Sequence, residues 1–257
     1  MGYTKYLAPV LENREIAPGF FDIRLQTPQV QQTGPGQFYQ ILCDGKPLRR
    51  PISVCGYDKA QNTLRMVYQV RGEGTAWLSG VKPGDTLDLL GPLGHGFSLE
   101  KAEYPVLVGG GIGTPPMLGA AFACGGRADA IVGYRNAGAA ILLQDFEKAC
   151  RKVYVATDDG SLGHHGLVTD LLNQRLTEGP CDLVAACGPT PMLKAVAAIA
   201  LEKGIKCQVS LEERMGCGIG ACVCCVCKVG DPSDPATIRH AQVCRYGPVI
   251  DAKEVIW

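Results

Sequence analysis

The 257 residues are long enough for two compact domains and a small appendage, and 46% hydrophobic with 19% charged residues is a globular composition that excludes a disordered or fibrous chain. Lysine plus arginine and aspartate plus glutamate each total 25, so the formal net charge is zero and no basic run invites nucleic acid. No window approaches the roughly 18 apolar residues that cross a membrane, and Met1 to Pro18 mixes Lys5, Glu12, Arg14 and Glu15 among its apolar positions, unlike a signal peptide; a cytoplasmic location is expected.

Up to about residue 100 the chain reads as short alternating strands, among them Phe20 to Leu25, Gln37 to Leu42 and Leu64 to Val70. Turns such as Gly34-Pro35-Gly36 and Lys82-Pro83-Gly84-Asp85 separate them, and no useful helical periodicity precedes Gly91. The expectation is a small antiparallel β-barrel. Within it, Arg49-Arg50-Pro51-Ile52-Ser53 offers a guanidinium suited to phosphate followed by a hydroxyl. Tyr68-Gln69-Val70-Arg71-Gly72-Glu73-Gly74-Thr75 ends a strand in a glycine-rich turn whose amides suit phosphate oxygens. An Arg-Pro at a strand start is, taken alone, more often solvated surface.

The pattern changes near Tyr104. Val106-Leu107-Val108 runs through Gly109-Gly110-Gly111-Ile112-Gly113-Thr114 into an apolar helix that begins at Pro115-Pro116 and ends near Gly125. Strands near Ala130 to Val132, Val153 to Val155 and Leu183 to Ala186 alternate with helices near Leu142 to Ala149, Gly166 to Gln174 and Pro191 to Glu202. Such alternation predicts a doubly wound parallel sheet. Gly110, Gly111, Gly113 and Thr114 in the first turn, with Gly188 and Pro189 in a later one, are candidates for NAD at the carboxyl edge of that sheet. His95, His164 and His165 lack any partner pattern and are expected at the surface.

A last strand around Gln208 to Leu211 leads into a tail too short to build its own core, which therefore needs a metal. Five of the 13 cysteines lie between Cys217 and Cys227. Cys217, Cys222 and Cys225 stand in C-x4-C-x2-C spacing with Cys244 downstream, the plant-type [2Fe-2S] pattern. A structural zinc site of Cys224, Cys225, Cys227 and Cys244 is the alternative. Cys224 and Cys227 are taken as non-ligands, and Cys43, Cys55, Cys124, Cys150, Cys181, Cys187 and Cys207 as small buried hydrophobes. The expected division is a barrel over 1–100, an α/β domain over 101–210 and a cluster module over 211–257.

With these motifs in order, the chain resembles the ferredoxin reductase-type superfamily, and more closely the electron-transfer subunits of bacterial class 1B dihydroorotate dehydrogenases. The residues that carry the likeness are Arg50 to Ser53, Gly72 to Thr75, Gly109 to Gly113, Cys187 to Met192 and Glu213 through Val249. The resemblance implies FAD on the barrel, NAD on the α/β domain and the cluster near a subunit interface. It implies that Arg50 binds FAD phosphate, that Ser53 approaches the flavin, and that Pro51, Ile52, Val67, Tyr68, Gln69, Gly74 and Thr75 complete that site. Ile52 stands where the superfamily often has tyrosine. The implied partner is an FMN-containing subunit that oxidises dihydroorotate in pyrimidine biosynthesis, in a heterotetramer with two copies of each chain. No catalytic acid or base is expected in this chain, since hydride transfer needs stacking geometry and not proton transfer. The rival readings are a reductase subunit for a hydrogenase, a sulfide dehydrogenase or a transhydrogenase, and a zinc-stabilised redox sensor.

Overall fold

The structure is a computed structural model that describes residues 5–231 and 234–257. Six strands close a barrel: β1 (Lys5–Ala17), β2 (Phe20–Gln26), β3 (Phe38–Ile41), β4 (Arg50–Asp58), β5 (Thr63–Gln69) and β6 (Thr86–Leu93). Their order is β1-β2-β5-β4-β3-β6, and β6 pairs back onto β1 with Lys5 opposite Leu90. Alternation decides which side chains enter. Ile23 and Leu25 of β2, Tyr39 and Ile41 of β3, Leu64 and Met66 of β5, and Leu87 and Leu89 of β6 form one interior cluster. The buried Tyr39 hydroxyl is satisfied by Thr33 Oγ1 at 2.7 Å.

A short helix, α1 (Glu73–Ser79), follows β5, where the sequence predicts only a turn. Thr75 Oγ1 accepts the amides of Arg71 and Gly72 at 2.9 and 3.2 Å, and Leu78 is buried against the barrel end. Seven residues with glycines at both boundaries are too few for a helical period to emerge from the sequence.

The second unit alternates β7 (Pro105–Gly110), α2 (Thr114–Cys124), β8 (Asp129–Tyr134), α3 (Leu143–Ala149), β9 (Lys152–Thr157), β10 (His164–His165), α4 (Val168–Glu178), β11 (Leu183–Cys187), α5 (Thr190–Glu202) and β12 (Lys206–Ser210). The sheet order β10-β9-β8-β7-β11-β12 is parallel throughout, and the winding reverses between β7 and β11. That reversal opens a crevice at the carboxyl ends of the two strands. Val106, Leu107 and Val108 on β7 are all fully buried, as strands covered on both faces should be.

α2 has no polar face: all its residues but Phe122 and Ala123 are buried, because it is held between the sheet and barrel strand β4. Gly119 permits the approach, since a Cβ there would lie 3.2 Å from the carbonyl oxygens of both Val54 and Cys55. A charged link ties the same units. Arg65 on β5 donates to the fully buried Asp22 on β2 at 2.8 to 3.1 Å and to Asp145 on α3 at 2.9 Å.

The tail forms a hairpin, β13 (Val226–Asp231) with β14 (Asp234–Gln242), then a turn of helix, α6 (Val243–Tyr246), and β15 (Val249–Asp251). The last strand pairs antiparallel with β12 and extends the sheet to seven strands, an addition the sequence does not announce. A three-residue strand carries too short an alternation to be read. Val243, Cys225 and Cys244 pack on Phe38 and Leu93 of the barrel, and His95 N donates to Gly247 O at 2.6 Å. The tail thus borrows its core from both larger units.

Candidate functional site

A groove of about 1230 Å³ runs between the barrel and the crevice of the α/β sheet. Its barrel wall is Pro51, Ile52 and Ser53 of β4, Val67, Tyr68 and Gln69 of β5, and Thr75 of α1. Its other wall is Gly110, Gly111 and Gly113 after β7, with Gly188 and Pro189 after β11. The two glycine turns press together: a Cβ on Gly113 would lie 2.3 Å from Cys187 O and 2.7 Å from Gly188 Cα, both backbone atoms. Tyr68 is buried, stacks on Phe21 at 5.6 Å and donates to Asn13 Oδ1 at 3.1 Å.

Three of the expected residues are placed differently from these. Arg50 lines an adjoining hollow of about 570 Å³, which shares Pro51, Arg71, Gly188, Pro189, Glu212, Glu213 and Met215 with the groove. Gly74 lines neither hollow; it lies beneath the Arg50 guanidinium, with a Cβ position 2.1 Å from Nε. Thr114 is fully buried and its hydroxyl donates to Gly111 O at 2.9 Å, so it shapes the turn from within. The two adjacent arginines also separate. Arg49 is held by Asp88 at 2.9 Å, whereas among the described residues Arg50 and Arg71 have no carboxylate partner. An unneutralised guanidinium at a hollow's mouth suits an anion such as pyrophosphate. His95, His164 and His165 are exposed and stand outside the groove, and His164 Nε2 lies 3.3 Å from Asp170 Oδ2.

The cysteine loop is built around its sulfurs. Cys217 Sγ accepts the amides of Ile219, Ala221 and Cys222 at 3.4, 3.2 and 3.4 Å, and Cys222 Sγ accepts the amide of Cys217 at 3.4 Å. Gly218 and Gly220, with φ of +74° and +83°, make the tight wrap possible. Cys225 Sγ accepts the amide of Cys244 at 3.4 Å. The four expected ligands therefore fall into two pairs, Cys217 with Cys222 and Cys225 with Cys244.

Cys224 is exposed, and Cys227 turns away to donate to Ala241 O at 3.6 Å. Among the described residues no three His, Cys, Asp or Glu side chains, the loop cysteines included, gather into one metal-holding group. Two thiol pairs inside a shell of amide donors fit a two-iron cluster with two thiolates per iron, which is anionic and accepts N–H bonds at sulfur.

Electrostatics sets Cys217 apart from the other thiols, its expected co-ligand Cys244 included, which burial and the neighbouring Cys225 push up to about 12. Burial raises Cys217, but the amides of Ile219, Cys222 and Ala221 outweigh it and hold the thiol down at about 6. Burial pushes Cys55, Cys150, Cys187 and Cys207 up to about 12 and Cys124 and Cys181 up to about 11. Those thiols stay protonated and behave as small hydrophobes.

Among the groove residues that the sequence does not single out as site residues, two connect the groove to the cysteine module. Phe38 on β3 and Met215 before the loop line the groove and also pack in the cluster of Cys225 and Cys244. They bridge the groove and the buried thiol pair. Met215 adjoins Gly216-Cys217 and could have been found by proximity; nothing in the sequence marks Phe38.

The family model for the iron-sulfur cluster binding domain of dihydroorotate dehydrogenase B matches residues 212–256. The chain is 40% identical over 255 residues to the dihydroorotate dehydrogenase B (NAD(+)) electron transfer subunit of Caldanaerobacter subterraneus subsp. tengcongensis, covering 98% of this chain and 99% of that one. It is 41% identical over 257 residues to the Bacillus cereus subunit of the same name, covering 96% of each. Among solved structures it resembles an NADH-dependent reduced ferredoxin-NADP oxidoreductase studied for flavin-based electron bifurcation, with a TM-score of 0.87, 33% identity and coverage of 100% of this chain and 92% of that one. The ferredoxin reductase of carbazole 1,9a-dioxygenase shares the fold, with a TM-score of 0.68 at 22% identity over 80% of this chain and 67% of that one.

Proposed function

The chain belongs to the family of dihydroorotate dehydrogenase B electron-transfer subunits, and from that premise we propose how its own residues perform the task. It is an oxidoreductase subunit that carries electrons between an FMN-containing catalytic subunit and NAD+ through a [2Fe-2S] cluster and FAD. FAD supplies the step between carriers, because it exchanges a hydride with nicotinamide and single electrons with iron and sulfur.

Arg50 neutralises the FAD pyrophosphate beside α1, and Gly74 leaves room for its guanidinium. Pro51, Ile52 and Ser53 on β4 and Val67, Tyr68, Gln69 and Thr75 hold the flavin on the barrel side of the groove. Gly110, Gly111, Gly113, Gly188 and Pro189 admit NAD from the opposite side, with Thr114 fixing the turn. Cys217, Cys222, Cys225 and Cys244 bind the cluster. Cys225 and Cys244 are buried toward the barrel while Cys222 is exposed, so the loop has an inner edge facing the groove and an outer edge open to the partner. The observation that carries this reading is the continuity of groove, Phe38, Met215 and buried thiol pair.

The division into 1–100, 101–210 and 211–257 follows the three tasks. Among the described residues no helix is long and apolar enough to cross a membrane, and we place the protein in the cytoplasm as a heterotetramer with two copies of each subunit. The test is reconstitution. The chain mixed with its catalytic partner should support dihydroorotate oxidation coupled to NAD+ reduction, whereas the chain alone should only oxidise NADH with artificial acceptors. Dihydroorotate oxidation by the isolated chain would contradict the assignment. The likeness to the bifurcating oxidoreductase supports a second reading, a subunit serving a pyridine-nucleotide transhydrogenase; the lower identity, 33% against 40%, ranks it behind.

A further inference from the structure

Gln40 lies on β3 in the wall of the barrel with 0% exposure, and neither Nε2 nor Oε1 of its carboxamide has a hydrogen-bond partner among the described residues. Strand alternation sets its direction. Tyr39 and Ile41 enter the barrel core, so Phe38 and Gln40 face outward, onto the surface that Cys225, Val243 and Cys244 cover. There the carboxamide meets the cysteine loop: a Cβ on Gly218 would lie 2.6 Å from Gln40 Nε2 and 2.9 Å from its Cγ. Gly218 adjoins Cys217, in the segment whose amides gather on Cys217 Sγ.

A buried primary amide with neither end satisfied is costly, and an apolar side chain would fill this outward face as Phe38 and Leu93 do. Its Nε2 end, the one that meets the cysteine loop, therefore needs an acceptor that arrives with a bound group. Resting on the cluster assignment above, we propose that Gln40 Nε2 donates a hydrogen bond to a sulfur on the Cys217 side of the [2Fe-2S] cluster, so that the barrel wall sets the cluster's reduction potential. Reduction adds negative charge to the sulfurs, so an N–H bond to sulfur stabilises the reduced state more than the oxidised one. The only requirement on the barrel is one amide on the outward face of β3, and it makes the FAD-bearing unit part of the cluster's inner environment.

The test uses the complex with the catalytic subunit, purified anaerobically, in wild-type form and with Gln40→Leu and Gln40→Met. A redox titration followed by the electron paramagnetic resonance signal of the reduced cluster reads the potential. The expected result for both variants is unchanged iron, sulfide and FAD content with about a tenfold loss of electron affinity, about 59 mV more negative for a one-electron couple. An unchanged potential with a full cluster overturns the role of Gln40. Should neither variant load a cluster, double resonance on the reduced protein with side-chain 15N-glutamine decides, in a Gln242→Leu background that removes the glutamine preceding α6. A nitrogen coupling supports the bond and its absence overturns it. Wild-type complex lacking iron and sulfide would instead overturn the cluster assignment itself, so the two failures are distinguishable.

Discussion

At the scale of single residues, the site depends on which groups are left without protein partners. Among the described residues Arg50 has no carboxylate partner where its neighbour Arg49 is held by Asp88, and Arg50→Ala should weaken FAD binding roughly ten- to a hundredfold, as loss of a charged hydrogen bond does. Equilibrium dialysis or flavin fluorescence would measure this, and unchanged affinity would assign the phosphate elsewhere. Gly113→Ala drives a methyl into the Cys187 and Gly188 backbone, which no rotamer relieves. It should raise the KM for NADH while FAD stays bound, with a stability loss of about 1–3 kcal/mol. Among the cysteines, serine at Cys217, Cys222, Cys225 or Cys244 should abolish normal cluster loading, and serine at Cys224 or Cys227 should leave it intact, as read by iron and sulfide analysis; the reverse pattern would redraw the ligand set. The C-x4-C-x2-C spacing is what makes the four proposed ligands readable in the sequence, because covalent spacing fixes what a loop can reach. Gln40 and Phe38 are not legible, because their role arises only when the tail folds back across the barrel.

At the scale of elements, α2 decides how the barrel meets the sheet. Its helix lacks a polar face since β4 covers the side that solvent would otherwise claim, and Gly119 sets the spacing. Gly119→Val should separate the two units, lowering the denaturant midpoint and loosening the groove, with FAD released at lower denaturant than in wild type. Equal midpoints would show that the contact is slack. The barrel strands and the βα units are readable in the sequence, because periods of two and long apolar runs bounded by glycine report burial on one or two faces. The helix α1 and strand β15 are not, as seven and three residues are stabilised by contacts distant in sequence, Leu78 in the barrel end and the β12 edge.

For the whole molecule, three units share one groove, and a charged tie joins the barrel to the α/β unit. Arg65 joins Asp22 in the barrel to Asp145 on α3, and Asp22 is fully buried. Arg65→Ala leaves that carboxylate only the long contact to Arg14 at 3.8 Å and should cost about 3 kcal/mol in unfolding experiments, while Asp145→Ala, which leaves the Arg65–Asp22 pair, should cost less. Comparable losses would mean that the inter-unit arm carries the energy. The central claim, however, is that this assembly is a wire from nicotinamide through flavin to iron and sulfur. Its most direct test is the visible spectrum of anaerobically purified protein, with iron, sulfide and flavin analysis, before and after NADH. About one FAD with two irons and two sulfides per chain, bleached by NADH, is the predicted result; a colourless protein holding zinc would contradict it.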